Sequence, residues 1–238
     1  MLDSIGVPDD RIRLLHDASR EAIIGALYDV RDDTNIQIGD NILVHFSGHG
    51  SIYDAESFFG AGVSSAGSES IGAICPSDRS GEIPDISYRE LNHILSEVQE
   101  AKGGNITFIA DCCYSGAVAG ANFIFNELSM VIIRLSMLGA AERHPRRKSS
   151  TLASSENWKE GNESSFVQLA ACQDVQGAKE VTQNGRKYGA FTWALVKALE
   201  SASPGSTYAD IIRKIGPLKG DQVPTVVGVR KGSRLWFQ

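Results

Sequence analysis

Hydrophobic positions in the front half of the chain alternate between strand-like and helix-like spacing. Ile12 and Leu14 stand between arginines over residues 11–15, the period-2 pattern of a short strand. Ser19 then caps a predicted helix whose apolar face is Ile23, Ile24 and Leu27. The run Asn41-Ile-Leu-Val-His-Phe is a nearly continuous apolar strand, the kind buried on both faces of a parallel sheet. Residues 51–81 are rich in Gly and Ser with scattered Ile and Phe, which reads as hairpin and loop. Ser87 with Glu90 predicts a capping box that opens a helix through Leu91, Ile94, Leu95 and Val98. Gly103-Gly104 ends it, and Asn105-Ile-Thr-Phe-Ile-Ala is the next strand. A β-α-β-α-β order of this kind predicts a mostly parallel, three-layer α/β sheet.

The pattern changes after Gly116. Residues 117–138 keep some helical periodicity, and 139–165 are charged, Ser-rich and without rhythm, which reads as a flexible linker. Phe166 to Ala171 predicts a strand and Ala190 to Leu199 a helix. Thr207 with Asp210 caps another helix through Ile211, Ile212 and Ile215, and Val226 to Val229 and Leu235 to Phe237 read as the last strands. The expected organisation is a larger front segment (1–116), a linker or processing region (117–165) and a smaller back segment (166–238), together one domain.

Composition narrows the function classes. Of 238 residues, 42% are apolar and 22% charged, which suits a globular domain with a sizeable core. The net charge of -6 argues against nucleic-acid binding, and the one basic run, Arg143 to Lys148, reads as a solvated loop. Cys75, Cys112, Cys113 and Cys172 are too sparse for a disulfide scaffold and form no C-x-x-C pair. With no secretory signal and no stretch fit to span a bilayer, a reducing, cytoplasmic setting is expected.

Two strand ends carry chemistry: His45-Phe-Ser-Gly-His49-Gly-Ser and Asp111-Cys-Cys113-Tyr-Ser-Gly. Ligands of open α/β sheets bind beyond the carboxyl ends of the strands. A cysteine nucleophile needs an imidazole partner, and His49 lies past the strand end between Gly48 and Gly50, where core packing requires no imidazole. His45, within the strand, reads as a structural histidine, and Cys112 as a small buried hydrophobe. Cys113 shares parity with Asp111, so an extended segment puts both on one face.

Together these motifs resemble the caspase and metacaspase clan, particularly fungal caspase-domain proteins, and the His-before-Cys spacing agrees with the caspase pattern. Ile74-Cys-Pro-Ser-Asp78, Phe166-Val-Gln-Leu-Ala-Ala-Cys-Gln and Tyr188-Gly-Ala-Phe-Thr-Trp-Ala-Leu are similar to further segments of that clan. The resemblance implies a caspase-hemoglobinase fold and a cysteine endopeptidase in which Cys113 attacks the scissile carbonyl and His49 handles protons. It implies an oxyanion site from the N–H groups of Gly50 and Cys113. It further implies a substrate pocket in which Asp111, helped by Ser47, takes Arg or Lys at P1. Asp78 matches a segment where metacaspases bind calcium, so calcium is a candidate activator and no cofactor is needed for the chemistry. Arg143, Arg146, Arg147 and Lys148 become candidate self-cleavage sites, and a monomer acting on proteins or peptides is expected, with no nucleic-acid or membrane partner. Relative to the clan, the chain is expected to lack the first strand of the sheet. The alternative function is a catalytically impaired caspase-like module or truncated remnant acting through protein interaction. A thiol-disulfide or metal role for the Cys112-Cys113 pair is a distant third.

Overall fold

A computed structural model of the protein describes residues 7–54, 70–113, 135–137, 139–148, 166–172 and 177–237. Residues 55–69 of the 51–81 loop, and residues 117–134, 138 and 149–165 of the 117–165 region, lie outside the described residues.

The chain builds a four-stranded sheet, ordered β1-β5-β6-β9, from β1 (Ile42–Ser47), β5 (Ile106–Asp111), β6 (Val167–Ala170) and β9 (Thr225–Val227). The first three are parallel and β9 runs antiparallel. On one face lie α1 (Arg20–Asp32) and α2 (Tyr88–Lys102), which share a core with Ile106, Phe108, Ala110 and Phe166. On the other face lie α3 (Ala190–Glu200) and α4 (Tyr208–Ile215), packed on Ile109, Val167 and Leu169. Alternation along β5 feeds both cores, since successive strand residues point to opposite faces. The expected three-layer, mainly parallel α/β fold is therefore present.

Local signals placed most of these elements. Ser19 Oγ accepts from Ala22 N, and Ser87 Oγ from Glu90 N. The capping box at Thr207 and Asp210 is complete. At Ser87 it is only half made, because the Glu90 carboxylate turns away to take the Arg20 guanidinium on both oxygens, at 2.6 and 2.7 Å. That buried pair ties α1 to α2, and a charge-assisted contact of one guanidinium nitrogen with both carboxylate oxygens outcompetes a return bond to one backbone N–H.

Several expectations fail for tertiary reasons. Residues 12–15 are not a strand; a 3-10 turn, Asp9–Arg11, precedes them, and Leu14 is 71% exposed. A strand exists only with a neighbour for its backbone groups, and among the described residues none pairs with this segment. For the same reason β1, expected to be buried on both faces, is half-buried to exposed beyond Ile42, since among the described residues it pairs only with β5. Leu235–Phe237 is a 3-10 turn with Trp236 at φ 54°, incompatible with extension. Residues 139–143 are helical, and the basic run after them is docked rather than solvated. Arg146 meets Asp29 and Asp32 of α1 at 2.7 and 2.8 Å, and Lys148 N donates to Glu97 of α2. Arg147 Nε donates to His93 Nε2 at 3.0 Å.

A second sheet flanks the end of β1: β2 (Gly50–Asp54), β3 (Ser70–Ile74) and β4 (Ile86–Ser87), all antiparallel. Beside α3 stands a hairpin of β7 (Glu180–Gln183) and β8 (Arg186–Gly189). Its turn is Asn184-Gly185, both at positive φ, the strongest short hairpin signal a sequence carries.

Candidate active site

Strands β1 and β5 pair in parallel with Ser47 opposite Asp111, so both loops leave the sheet side by side. Gly48 N donates to Asp111 O at 3.2 Å, which locks the start of the His49 loop to the end of β5. One residue beyond His49 the two backbones touch. A β-carbon added at Gly50 would stand 1.7 Å from Cys113 O, so glycine is the residue the approach admits. His49 is exposed between these anchors, and its carbonyl accepts from Cys75 N at 2.9 Å.

The segment Asp111-Cys112-Cys113 divides its side chains between the two faces. Cys112 is fully buried with the α1/α2 core, 3.4 Å from Tyr88 OH, and burial pushes its thiol up to about 12. Cys113 is half-buried and faces the back segment, where Ala178 N donates to its Sγ at 3.0 Å. Cys75 and Cys172 are buried, and burial, reinforced by Asp85, pushes Cys75 up to about 12. Among the described residues, Cys113 is thus the cysteine with solvent access.

Asp111 is buried at the N-terminus of α3, whose N-cap, Gly189, has no side chain to cap it. Asp111 supplies the missing acceptor: its Oδ2 takes Thr192 N at 2.9 Å and Thr192 Oγ1 at 2.5 Å. A β-carbon at Gly189 would lie 2.0 Å from that oxygen. His45 Nε2 sits 3.2 Å from Thr192 Oγ1. The single hydroxyl proton is committed to the carboxylate, so His45 is the donor in that contact. Burial of the ring lowers the His45 pKa against the opposing pull of Asp111. Ser47 is exposed at the strand end beside Asp111.

Two supports were invisible in the sequence. Gln222, fully buried, donates from Nε2 to Ala171 O and accepts Lys179 N on Oε1, holding residue 178 against Cys113. Under the His49 loop, Asp85 Oδ2 gathers Ser51 Oγ, Tyr53 OH and Arg79 Nη2 at 2.6–2.9 Å. Gln222 stands far along the chain from the groups it binds, as Asp85 does from Ser51 and Tyr53, with no motif to mark either role.

A metal finds little here. Asp78 spends Oδ1 on Arg20 N at the start of α1 (2.8 Å), and Asp85 is engaged as above. Calcium needs six to eight oxygens, and among the described residues no three His, Cys, Asp or Glu converge.

The comparisons with known proteins follow the same lines. The caspase domain family model matches residues 1–226. Metacaspase-3 of Arabidopsis thaliana is 27% identical over 177 residues, which is 73% of this chain and 42% of that protein. The chain thus spans about two fifths of the length of that curated relative. A crystal structure of a protein from Geobacter sulfurreducens superposes with a TM-score of 0.53 at 17% identity, covering 89% of this chain and 74% of that one.

Proposed function

This chain belongs to the caspase domain family of cysteine peptidases, and on that premise we propose that it cleaves peptide bonds after Arg or Lys through Cys113 and His49. The observation that carries the reading is the meeting of the two loops: Ser47 opposite Asp111, Gly48 N on Asp111 O, and Gly50 against the Cys113 carbonyl.

In this reading His49 takes the thiol proton as Cys113 Sγ attacks the scissile carbonyl carbon. The tetrahedral oxyanion is held by the N–H groups of Gly50 and Cys113, donors of a kind worth ~3 kcal/mol each in the transition state. Collapse breaks the C–N bond, and His49 returns the proton to the leaving amine. Water, deprotonated by His49, then hydrolyses the thioester and restores the thiol. Asp111, buried and close to the nucleophile in sequence, would offer its carboxylate to a basic P1 side chain, with Ser47 at the rim. The acidic P1 preference of caspases in the strict sense would need cationic groups in that place.

A non-catalytic caspase-like module is the second reading, favoured by the half-buried side chains of β1. One experiment separates the two. Purified protein is assayed on arginyl, lysyl and aspartyl fluorogenic peptides, with Cys113→Ala and Cys112→Ala as variants. Loss of basic-site cleavage in Cys113→Ala alone supports the peptidase. Cleavage that survives Cys113→Ala, or preference for aspartyl peptides, overturns it; no cleavage at all favours the module.

A further inference from the structure

We propose that Thr192 is the positioning residue that sets the choice between Arg and Lys at P1, by limiting Asp111 to one free oxygen; this rests on the reading of Asp111 as the P1 partner. A carboxylate oxygen has two lone pairs in the plane of the group. Both lone pairs of Asp111 Oδ2 are taken by Thr192, one by its N–H at 2.9 Å and the other by its hydroxyl at 2.5 Å. His45 and Gly189 hold that arrangement in place. With the Thr192 hydroxyl proton on the carboxylate, His45 Nε2 at 3.2 Å is left to donate to the Thr192 oxygen and holds the side chain in that rotamer. A side chain at position 189 would collide with Oδ2, so the glycine keeps the carboxylate seated on α3.

The consequence is a matter of counting acceptors. A guanidinium gains its advantage over an ammonium by engaging both oxygens of a carboxylate with parallel N–H donors. With Oδ2 saturated, Asp111 presents Oδ1 alone. A single oxygen serves the lysine ammonium as well as it serves one arm of a guanidinium. The pocket therefore reads positive charge and not the arginine fork, and Arg and Lys peptides are cut at similar rates. Removing the Thr192 hydroxyl returns one lone pair of Oδ2 to the substrate, while the backbone N–H still caps α3.

The test uses the full chain and two peptides that differ only in Arg or Lys at P1, with kcat/KM measured for wild type, Thr192→Ala, Thr192→Ser and Asp111→Asn. Wild type is expected to favour Arg by no more than about tenfold, and Thr192→Ala to raise the Arg:Lys ratio by about tenfold, mainly through KM for the Arg peptide. Thr192→Ser keeps a hydroxyl and restores the wild-type ratio, which a merely structural loss would not do. An unchanged ratio in folded Thr192→Ala, with Asp111→Asn unable to cut either peptide, overturns the role of Thr192 and leaves the P1 reading intact. Undiminished basic preference in Asp111→Asn overturns the P1 reading itself. Should Thr192→Ala fail to fold, a wild-type preference for Arg beyond about a hundredfold still overturns the proposal, because one oxygen cannot supply it.

Discussion

Gly50 and Cys113 are in backbone contact, with a β-carbon at position 50 falling 1.7 Å from the Cys113 carbonyl oxygen. No side-chain rearrangement relieves that overlap, since the opposing atom is main chain. Gly50→Ala must push the His49 loop off the end of β5. A displacement of about 1 Å between reacting groups is enough to cost ~100-fold in rate, so kcat/KM should fall at least that far. Gly25→Ala is the control: it lies within α1, meets nothing within 4 Å, and should stabilise by ~0.5–1 kcal/mol. Thermal melts and peptide hydrolysis on both variants check the pair, and a Gly50→Ala variant with near-normal turnover would sink the contact's importance.

Alkylation should single out one thiol. Cys112 and Cys75 are buried with their thiols pushed up to about 12, and Cys172 is buried with its Sγ on Cys112 O at 3.4 Å. Cys113 is half-buried at the loop junction. Iodoacetamide at about neutral pH should add one group per native chain, on Cys113, and four after denaturation. Peptide mapping by mass spectrometry reads the site, and early labelling of Cys112 would contradict the assignment of faces.

Gln222 links the end of β6 to the segment that leads into β7. Its side chain bridges Ala171 O and Lys179 N from a fully buried position. Gln222→Met keeps the volume and deletes both bonds, leaving the buried Ala171 carbonyl unpaired at ~1–3 kcal/mol. Because residue 178 donates to Cys113 Sγ, the loss should also reach turnover. Denaturant unfolding should show the destabilisation, accompanied by a fall in kcat of about tenfold. A variant that loses stability with kcat intact would show that Gln222 supports the fold alone.

Much of this architecture was legible because its causes are local. Ser19, Ser87 and Thr207 announce helix starts within four residues, and Asn41 to Phe46 and Asn105 to Ala110 announce strands by composition alone, the second of them fully buried. The glycine-flanked His49 and the strand-end Cys113 stand out for the same reason. What escaped was set by contacts between distant segments. Residues 11–15 alternate like a strand and are none, since alternation creates no partner. Thr192 sits in an ordinary helical run, and nothing near it hints at a carboxylate 81 positions away. The basic run looked solvated because its acids lie on α1 and α2. The β7–β8 turn is local too, in Asn184-Gly185, but its flanks, Glu180–Gln183 and Arg186–Gly189, carry few apolar positions to mark strands.

The docked basic segment makes stability depend on pH through His93. Arg147 Nε donates to His93 Nε2 at 3.0 Å, so the ring is a neutral acceptor there. Burial first, and then Arg147, lower its pKa; Glu97, 3.4 Å away, and Glu100 oppose them without prevailing. A histidine with a lowered folded pKa binds its proton more readily once unfolded. Stability is therefore full above the unfolded value of about 6.5 and declines as pH falls below it, until the folded pKa is reached. His45, lowered by burial, adds the same sign. His93→Gln retains an acceptor for Arg147 and cannot titrate, so unfolding free energy should fall less steeply between about pH 6.5 and 5. Hydrogen exchange over residues 144–148 should track the same window, since protonated His93 repels Arg147 and loosens the segment from α2. Parallel stability slopes in wild type and His93→Gln would show that His93 is not the group responsible.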